Sequence, residues 1–469
     1  MPNRKTKIVA TIGPASLETK TLKELIKAGL NVARINASHG DKEQHEQIIQ
    51  NIRSSAQSLD ANIGIIYDLQ GPKIRIGSIG TDPINVVKQE TIILHNGDAY
   101  FEHKGIKHFP VQYKELAQDV KPQEILLIND GLIELKIDTI SADKKYINCT
   151  VQNSGQIKQH NSLNAPETEL SLPCLTEVDL ANLKVAADQK VTYLGLSFVR
   201  TAQDIEVLRK ACHKLKYNPQ IIAKIERPEA VKNIAEIAQA ADALMVARGD
   251  LGIEIPAAKV PIAQRKILEI GRKYGKPVIV ATQVLSSMVT QPRPTRAEVS
   301  DAANAVFAQA DAIMLSNETA IGQFPVSTIE TLAEIIKTIE QNLNDQTGSS
   351  RYNESENLID AIAHSAINLA EYSEAKTLVI ITRSGFTAAQ ITKYRPKTDL
   401  VTITASEQTK EILSLYWGIN TVIINEEVIS NHQASKIKEL LKKHKAVKNQ
   451  PVVVCNAGLK TGEHLISVF

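Results

Sequence analysis

The sequence predicts an α/β protein in which a closed barrel is interrupted by a small β domain and followed by an open α/β domain. Short apolar segments alternate with segments of helical periodicity up to residue 71 and again from residue 176. Between them, residues 72–166 contain short alternating runs separated by the turns NGD, NDG and ADKK, which is typical of antiparallel β structure. Three strands precede this insert and five follow it. Eight βα units are therefore expected to close into a TIM (β/α)8 barrel, with a doubly wound sheet as the alternative.

The predicted elements follow in chain order. The barrel strands are residues 7–12, 32–36, 63–69, 193–199, 221–226, 243–247, 277–282 and 312–316. The strands of the insert are residues 90–94, 125–128, 132–137 and 146–151. A polar linker at 344–356 precedes a helix near 358–372 and strands at 378–382, 400–404, 421–424, 452–455 and 464–468. We assign residues 1–71 and 167–344 to the barrel, 72–166 to a small β-barrel lid domain and 345–469 to a C-terminal α/β domain.

Composition excludes several classes of partner. Charged residues make up 23% of the chain, the formal net charge is +2 and aromatic residues are 4%, which argues against binding to nucleic acid or to a membrane surface. The four cysteines lie far apart without a CxxC pair, a pattern that fits a reduced cytoplasmic protein and makes a zinc site unexpected. No apolar segment approaches the ~18 residues that a membrane span requires.

Charged side chains follow two neighbouring barrel strands at the point where each strand ends. Lys224 and Glu226 close the strand IIAKIE, and Asp250 follows the strand LMVA. Because the carboxyl ends of parallel strands meet at one face of a barrel, these three groups are expected to converge. A lysine beside two carboxylates suits a metal-assisted reaction on an anionic substrate. A salt-bridge cluster at the barrel mouth is the alternative.

Nine short motifs occur along the same face: TIGPAS (11–16), RINASHG (34–40), DLQGPKIR (68–75), SFVR (197–200), AKIE (223–226), ARGD (247–250), ATQ (281–283), PTRAE (294–298) and MLSNET (314–319). In this order, and across essentially the whole chain, they resemble the pyruvate kinase family. The resemblance implies transfer of the phosphoryl group of phosphoenolpyruvate to ADP, followed by protonation of the enolate to pyruvate. It also implies Mg²⁺ or Mn²⁺ as cofactor and a homotetramer.

The resemblance assigns roles to individual residues. Glu226 and Asp250 match the metal ligands, and Lys224 and Arg34 match cations that contact the transferring phosphoryl group. Gly249, Asp250 and Thr282 match the binding site of the substrate carboxylate, and Thr282 is expected to orient a water relay with Ser316 and Glu318 as candidate members. The residues near the nucleotide are Pro14, Arg34, Asn36, His39, Arg75 and Asp130. For His39 a structural role is the alternative, and Arg296 is expected to be structural.

Two motifs depart from the commonest family pattern. The segments that usually bind K⁺ correspond to Asn36, Ser38, Asp68, Leu69 and Lys73, and Lys73 stands where a glutamate is usual. This matches a K⁺-independent branch, since an ammonium group can supply the charge of the monovalent ion; a solvated surface lysine is the alternative. In the lid, Asn161-Ser162 stands where the family usually has a Lys-Gly pair. Either Lys158 or His160 is then expected to substitute for the missing lysine, or ADP is expected to bind more weakly.

The C-terminal domain contains a candidate effector loop. Thr382, Arg383, Ser384, Gly385 and Thr387 join a strand to a helix and could cradle a phosphate. The final segment, 457–463 (AGLKTGE), is shorter than the loop that usually completes a fructose 1,6-bisphosphate site. A sugar monophosphate, or no effector, is therefore expected, and simple capping of the helix is the alternative.

Two other functions remain open from the sequence. One is a phosphoenolpyruvate-using barrel of another class, such as a lyase or a dikinase component. The other is a catalytically weakened homologue that senses a sugar phosphate. The presence of Lys224, Glu226, Asp250, Thr282 and Arg34 together favours the kinase.

Overall fold

The structure is a computed structural model that describes residues 4–343, 357–431, 434–444, 451–457 and 464–468. In chain order its strands are β1 Lys7–Thr11, β2 Val32–Asn36, β3 Gly64–Asp68, β4 Ile84–Val86, β5 Thr91–His95, β6 Phe101–His103, β7 Ile106–Pro110, β8 Ile125–Ile128, β9 Ile133–Ile140, β10 Tyr146–Val151, β11 Gly155–Ile157, β12 Leu163–Asn164, β13 Tyr193–Leu196, β14 Gln220–Ile225, β15 Ala243–Ala247, β16 Val278–Ala281, β17 Ala312–Leu315, β18 Thr377–Ile381, β19 Asp399–Thr404, β20 Ile419–Ile424, β21 Val452–Asn456 and β22 Leu465–Val468.

The helices are α1 Thr19–Ala28, α2 Lys42–Ser58, α3 Leu116–Asp119, α4 Glu177–Asp188, α5 Ala202–Lys214, α6 Pro228–Lys232, α7 Ile234–Ala240, α8 Arg248–Glu254, α9 Val260–Lys273, α10 Arg296–Phe307, α11 Asn317–Ala320, α12 Pro325–Asn342, α13 Leu358–Tyr372, α14 Phe386–Thr392, α15 Glu407–Leu413, α16 Glu426–Asn431 and α17 Ala434–Lys443. In the part of the chain that is described, no helix has the length and apolar character needed to cross a membrane.

Eight parallel strands close into a barrel in the order β1-β17-β16-β15-β14-β13-β3-β2, which confirms the predicted fold class. The strands are short and apolar because helices cover their outer face and side chains fill the interior. All five residues of β15, for example, are buried. The interior layer contains Tyr193, Met245 and Met314 and is completed by Leu415 from the C-terminal domain. That domain therefore closes one end of the barrel and leaves the carboxyl ends of the strands at the other.

The insert between β3 and α4 consists of two separate small sheets. A seven-stranded sheet has the order β12-β8-β9-β10-β5-β7-β6, and β4 pairs only with β11. The sequence led us to expect a small β-barrel here, and the structure arranges its strands in two sheets without one continuous closed ladder. Isolated bridges such as Ile76 with Val111 and Ser78 with Ala99 replace the continuous ladder that closure would need. The insert nevertheless has its own apolar core, which includes Phe109, Leu126 and Leu135.

The C-terminal domain is an open sheet in the order β20-β19-β18-β21-β22, in which only β22 is antiparallel to its neighbour. Helix α13 packs on β18 and β21, and buried apolar residues line both faces. The predicted polar linker 344–356 and most of the predicted final segment, residues 458–463, lie outside the described residues. The domain docks on the barrel through Arg395, which forms two hydrogen bonds of 2.9 Å with the carboxylate of Asp311.

Candidate active site

Lys224 lies at the centre of a contact network at the carboxyl ends of the barrel strands. Its Nζ is 3.0 Å from Oε1 of Glu226 and 3.3 Å from Oδ1 of Asp68, and it donates a hydrogen bond of 2.6 Å to Oγ of Ser197. Burial alone would lower the pKa of Lys224, but the charges of Asp68 and Glu226 outweigh it and raise that pKa. The ammonium is therefore a fixed positive charge at the barrel mouth.

Asp68, the last residue of β3, joins Lys224 to Arg34. Nε and Nη2 of Arg34 lie 2.8 and 2.7 Å from Oδ2 of Asp68, and Nη1 donates to Oγ1 of Thr11 at 3.0 Å. Burial would raise the pKa of Asp68, but Lys224 and Arg34 outweigh it and hold that pKa below its ordinary value. A buried carboxylate thus fixes two cations that the sequence places on different strands.

Glu226 and Asp250 present carboxylate oxygens on the same side of the mouth. Glu226 is 1% exposed, and its Oε2 accepts a hydrogen bond of 2.7 Å from the backbone N–H of Phe198. Burial raises the pKa of Glu226, the charge of Lys224 opposes this, and repulsion from Asp250 adds to it. The two carboxylates are therefore close enough to repel, which fits a site for a hard dication with oxygen ligands. In the described residues no cluster of three or more His, Cys, Asp or Glu side chains could hold a metal, so substrate and water oxygens would complete the coordination.

Two residues of this face adopt a backbone conformation that their side chains disfavour. Phe198 has φ of 55°, which directs its N–H to Glu226, and Thr282 has φ of 66°. A β-branched residue in the left-handed region is strained, and such strain is typical of functional sites. The hydroxyl of Thr282 accepts a hydrogen bond of 2.7 Å from the N–H of Gly249. Thr282 therefore lies directly against the first turn of α8, which carries Asp250.

Arg248 holds the strained segment in place, a role that the sequence did not reveal. Its guanidinium donates to the carbonyls of Thr282 at 2.7 Å and Ala281 at 3.2 Å and pairs with Asp301 at 2.7 Å. The carboxylate of Glu318, named in the sequence as a relay candidate, accepts hydrogen bonds from the N–H groups of Ser316 and Leu285. These contacts fix the loops on both sides of Thr282.

Lys73 faces the site from the connection that leads into the lid. Its Nζ is 3.6 Å from Oδ1 of Asp250, and its side chain is 29% exposed. Leu69 is buried, and its carbonyl accepts a hydrogen bond from Oγ of Ser197. Asn36 and Ser38, the other residues of the predicted monovalent-cation region, form a local turn in which the N–H of Ser38 donates to Oδ1 of Asn36.

The predicted nucleotide residues of the lid are held within the lid. Oγ of Ser162 donates to Oδ1 of Asp130 at 2.6 Å, and Nη1 of Arg75 donates to the carbonyl of His160 at 2.9 Å. Asn161 donates to the side chain of Asn129 at 3.1 Å. Asn161 and Ser162, which replace the expected Lys-Gly pair, thus connect two lid loops by hydrogen bonds.

Pro14 and His39 lie on exposed loops after β1 and β2. The carbonyl of His39 accepts a hydrogen bond from the ring of His45, while its own ring is at the surface. Among the contacts of the described residues, none connects Pro14, His39, Arg75 or Asp130 to the network of Lys224.

The candidate effector loop is hydrogen bonded within itself and to the residue that follows β21. Oγ1 of Thr382 accepts from the N–H of Gly385, and Oγ1 of Thr387 donates to the carbonyl of Ala457. Gly385 has φ of 89°, a left-handed conformation that glycine adopts without strain. Arg383 and Ser384 are exposed at the surface of the same loop.

Gly195, which no sequence motif identified, makes the central network possible. A Cβ atom at this position would lie 2.7 Å from Oδ1 of Asp68. We expect Gly195→Ala to displace that carboxylate and to lower kcat/KM by at least about tenfold, because Arg34 and Lys224 lose their common partner. Steady-state kinetics check this. Gly252→Ala is the matched control, since its Cβ would meet only Val260 at 3.8 Å; equal activity of the two variants would contradict the prediction.

Comparison with protein families identifies two matching models. Residues 3–329 match "Pyruvate kinase, barrel domain", and residues 360–466 match "Pyruvate kinase, alpha/beta domain".

Individual proteins give the same result. Pyruvate kinases of two strains of Staphylococcus aureus, USA300 and NCTC 8325, are each 38% identical over 472 residues, covering 98% of this chain and 78% of theirs. A crystal structure of a pyruvate kinase from Cryptosporidium parvum superimposes with a TM-score of 0.91 at 31% identity, covering 100% of this chain and 96% of that one.

Proposed function

The chain belongs to the pyruvate kinase family, and on that basis we propose which of its residues carry the family's reaction. The enzyme transfers the phosphoryl group of phosphoenolpyruvate to ADP and yields ATP and, after enolate protonation, pyruvate, the final step of glycolysis. The main support for the residue assignment is the position of Lys224, whose ammonium lies within 3.3 Å of both Asp68 and Glu226.

Glu226 and Asp250 are proposed to hold Mg²⁺ or Mn²⁺. When bound, the dication would polarise substrate oxygens and offset the negative charge that develops during transfer. The hydrogen bond from Phe198 fixes one oxygen of Glu226, and Lys73 and the start of α8 orient Asp250. Both carboxylates are thus oriented before substrate binds, which reduces reorganisation during the reaction.

Lys224 and Arg34 are proposed to stabilise charge on the transferring group. Transfer spreads negative charge over the phosphoryl oxygens and leaves charge on the enolate oxygen. Asp68 holds both cations at fixed positions, and the planar guanidinium of Arg34 suits phosphate geometry. The support is geometric, since Asp68 holds the ammonium of Lys224 and the guanidinium of Arg34 side by side at the barrel mouth.

Thr282, Gly249 and Asp250 are proposed to bind the substrate carboxylate and to orient the enolate for protonation. The contact between Gly249 and Thr282 supports this, because it brings a hydroxyl to the positive first turn of α8. Thr282 would also position a water relay with Ser316 and Glu318. Pro14, Arg34, Asn36, His39, Arg75 and Asp130 are proposed to line the nucleotide site, the last two from the lid.

We propose that activity does not require K⁺. Lys73 supports this, since its ammonium approaches Asp250 from a segment that binds K⁺ in other family members. The alternative of a freely solvated lysine is less favoured because this side chain is 29% exposed and is paired with a carboxylate.

Further proposals concern the domain organisation, the assembly and the cellular location of the enzyme. The division into residues 1–71 with 167–344, 72–166 and 345–469 is supported by separate apolar cores. A homotetramer is supported by apolar side chains exposed on α10, α13 and α14, including Phe307, Leu358 and Phe386. Light scattering of the purified enzyme tests this oligomeric state.

The four cysteines are free and buried, which supports a cytoplasmic enzyme.

A sugar monophosphate is the proposed effector of the loop Thr382 to Thr387. Ribose 5-phosphate, glucose 6-phosphate and fructose 1,6-bisphosphate, each titrated at subsaturating phosphoenolpyruvate, distinguish the alternatives. Activation by the bisphosphate at the lowest concentration would contradict this proposal.

Formation of pyruvate that depends on both ADP and Mg²⁺ tests the residue assignment. Glu226→Gln and Asp250→Asn are each expected to raise the Mg²⁺ concentration for half-maximal activity by at least about tenfold, because a charged oxygen ligand is lost. An unchanged Mg²⁺ requirement in both variants would exclude them as ligands. Equal activity with and without ADP would exclude direct transfer and favour another reaction of phosphoenolpyruvate.

A further inference from the structure

Both connections between the barrel and the lid contact one short helix, α8. This helix carries two carboxylates, Asp250 and Glu254, four residues apart and therefore on the same face. Lys73, on the connection that enters the lid, lies 3.6 Å from Asp250. Asn164, in the last lid strand β12 where the chain leaves the lid, donates a hydrogen bond of 2.7 Å from Nδ2 to Oε1 of Glu254.

Asn164 is part of the lid, because it belongs to β12, which pairs with β8 of the large lid sheet. The residues that follow it contact both the lid, where Oγ1 of Thr168 donates to Glu124 at 2.7 Å, and the barrel. Nη2 of Arg227 donates to the carbonyl of Thr168 at 2.9 Å, and Nη1 of Arg200 donates to the carbonyl of Leu170 at the same distance. The hydrogen bond from Asn164 to Glu254 is therefore one of several contacts between the lid and the barrel near the point where the chain leaves the lid.

The hydrogen bond between Asn164 and Glu254 is buried, and the carboxylate of Glu254 has few other partners. Asn164 is 8% exposed, and Glu254 and Arg227 are 4% exposed. The second oxygen of Glu254, Oε2, lies 3.7 Å from Nη1 of Arg227 and has no hydrogen-bond partner. A small crevice of about 30 Å³, lined among others by Lys73, Asn164, Arg227 and Glu254, lies at the junction. Displacement of Asn164 would thus leave a buried carboxylate with a single distant cation, which is unfavourable.

We propose that Glu254 is a positioning residue that links the position of the lid to the orientation of Asp250. When Asn164 holds Glu254 and Lys73 holds Asp250, α8 is fixed at both carboxylates. The metal ligand is then correctly oriented only while the lid is in the position that the structure shows. This inference rests on the proposed role of Asp250 as a metal ligand, and it adds Glu254 and Asn164 as residues that touch neither metal nor substrate.

Reversal of the hydrogen bond tests the link. Asn164→Asp places a second carboxylate against Glu254, and we expect it to raise the KM for ADP and the dissociation constant for Mn²⁺ by at least about tenfold each, with a smaller change in kcat. Glu254→Gln retains an acceptor for Asn164 and is expected to change both constants by less than about threefold. In Asn164→Asp/Glu254→Gln the glutamine can donate to the new aspartate, and both constants are expected to return to within about threefold of wild type.

Controls separate coupling from loss of structure. Glu229→Gln removes another carboxylate that contacts Arg227 and does not reach the lid, so it should leave both constants unchanged. Asn164→Ala removes the donor without adding charge, and it provides the test if Asn164→Asp fails to fold. It should raise both constants by more than about threefold, which exceeds the change expected of Glu254→Gln. The link would be overturned if a folded Asn164 variant kept the wild-type KM for ADP and dissociation constant for Mn²⁺. It would also be overturned if the double variant did not recover these values. Asp250→Asn, measured in parallel, shows separately whether Asp250 is a metal ligand.

Discussion

Replacing Lys224 with methionine is expected to lower kcat by about 10²–10³-fold. Methionine preserves most of the volume and removes the only charge, so that the transition state loses a positioned cation. The measurement is the initial rate of pyruvate formation with saturating phosphoenolpyruvate, ADP and Mg²⁺. The same change leaves Asp68 and Glu226 buried with one cation fewer, at a cost of about 3–5 kcal/mol in stability. Circular dichroism melting must therefore show that the variant is folded at the assay temperature.

Lys276→Met is the matched control for Lys224→Met. Lys276 precedes β16 at the opposite end of the barrel, and its Nζ donates a hydrogen bond of 2.6 Å to the carbonyl of Ala241. The Lys276→Met variant therefore loses a partly buried ammonium outside the active site, and its kcat should remain within about twofold of wild type. Equal rates for wild type and a folded Lys224→Met would remove the role assigned to Lys224.

Lys73→Glu is expected to make the enzyme dependent on K⁺. The new carboxylate lies near Asp250, and without the ammonium the local negative charge is compensated only if a monovalent cation binds. Activity without K⁺ should fall by at least about tenfold and recover when K⁺ is added. The wild-type enzyme should be fully active in choline chloride of the same ionic strength.

The control for Lys73→Glu is Lys42→Glu, which makes the same charge change on an exposed side chain of α2 that pairs only weakly with Glu46. It should create no K⁺ dependence. More than tenfold stimulation of the wild-type enzyme by K⁺, measured against choline, would contradict the proposal. So would a Lys73→Glu variant that remains fully active without K⁺.

The barrel was predictable because its strands are buried on both faces and appear as uninterrupted apolar segments. The predicted bounds of β2 and β15 agree with the structure. The short strands of the lid were largely missed for the opposite reason. Every residue of β6 is exposed, and β7 contains a histidine and a proline. Such strands form because neighbouring strands offer hydrogen bonds, which local sequence does not reveal.

The site was predictable in residue type and less so in geometry. The ends of β14 and β15 identified Lys224, Glu226 and Asp250 because parallel strands present their carboxyl ends at one face. Three other features depend on contacts between distant strands. They are the pairing of Asp68 with two cations, the space that Gly195 leaves for the carboxylate of Asp68, and the hydrogen bonds from Arg248 to the segment that contains Thr282. The left-handed conformation of Thr282 is equally a product of tertiary structure, since a β-branched residue gives no local signal for it.

Anomalous diffraction from crystals grown with Mn²⁺ and pyruvate tests most directly whether one dication is held where Lys224, Glu226 and Asp250 meet. We predict a Mn²⁺ peak within about 2.0–2.6 Å of a carboxylate oxygen of each acid, with pyruvate oxygens and water completing the coordination and Nζ of Lys224 beside the enolate oxygen position. A Mn²⁺ ion bound elsewhere, or bound by neither carboxylate, would contradict the proposed active site.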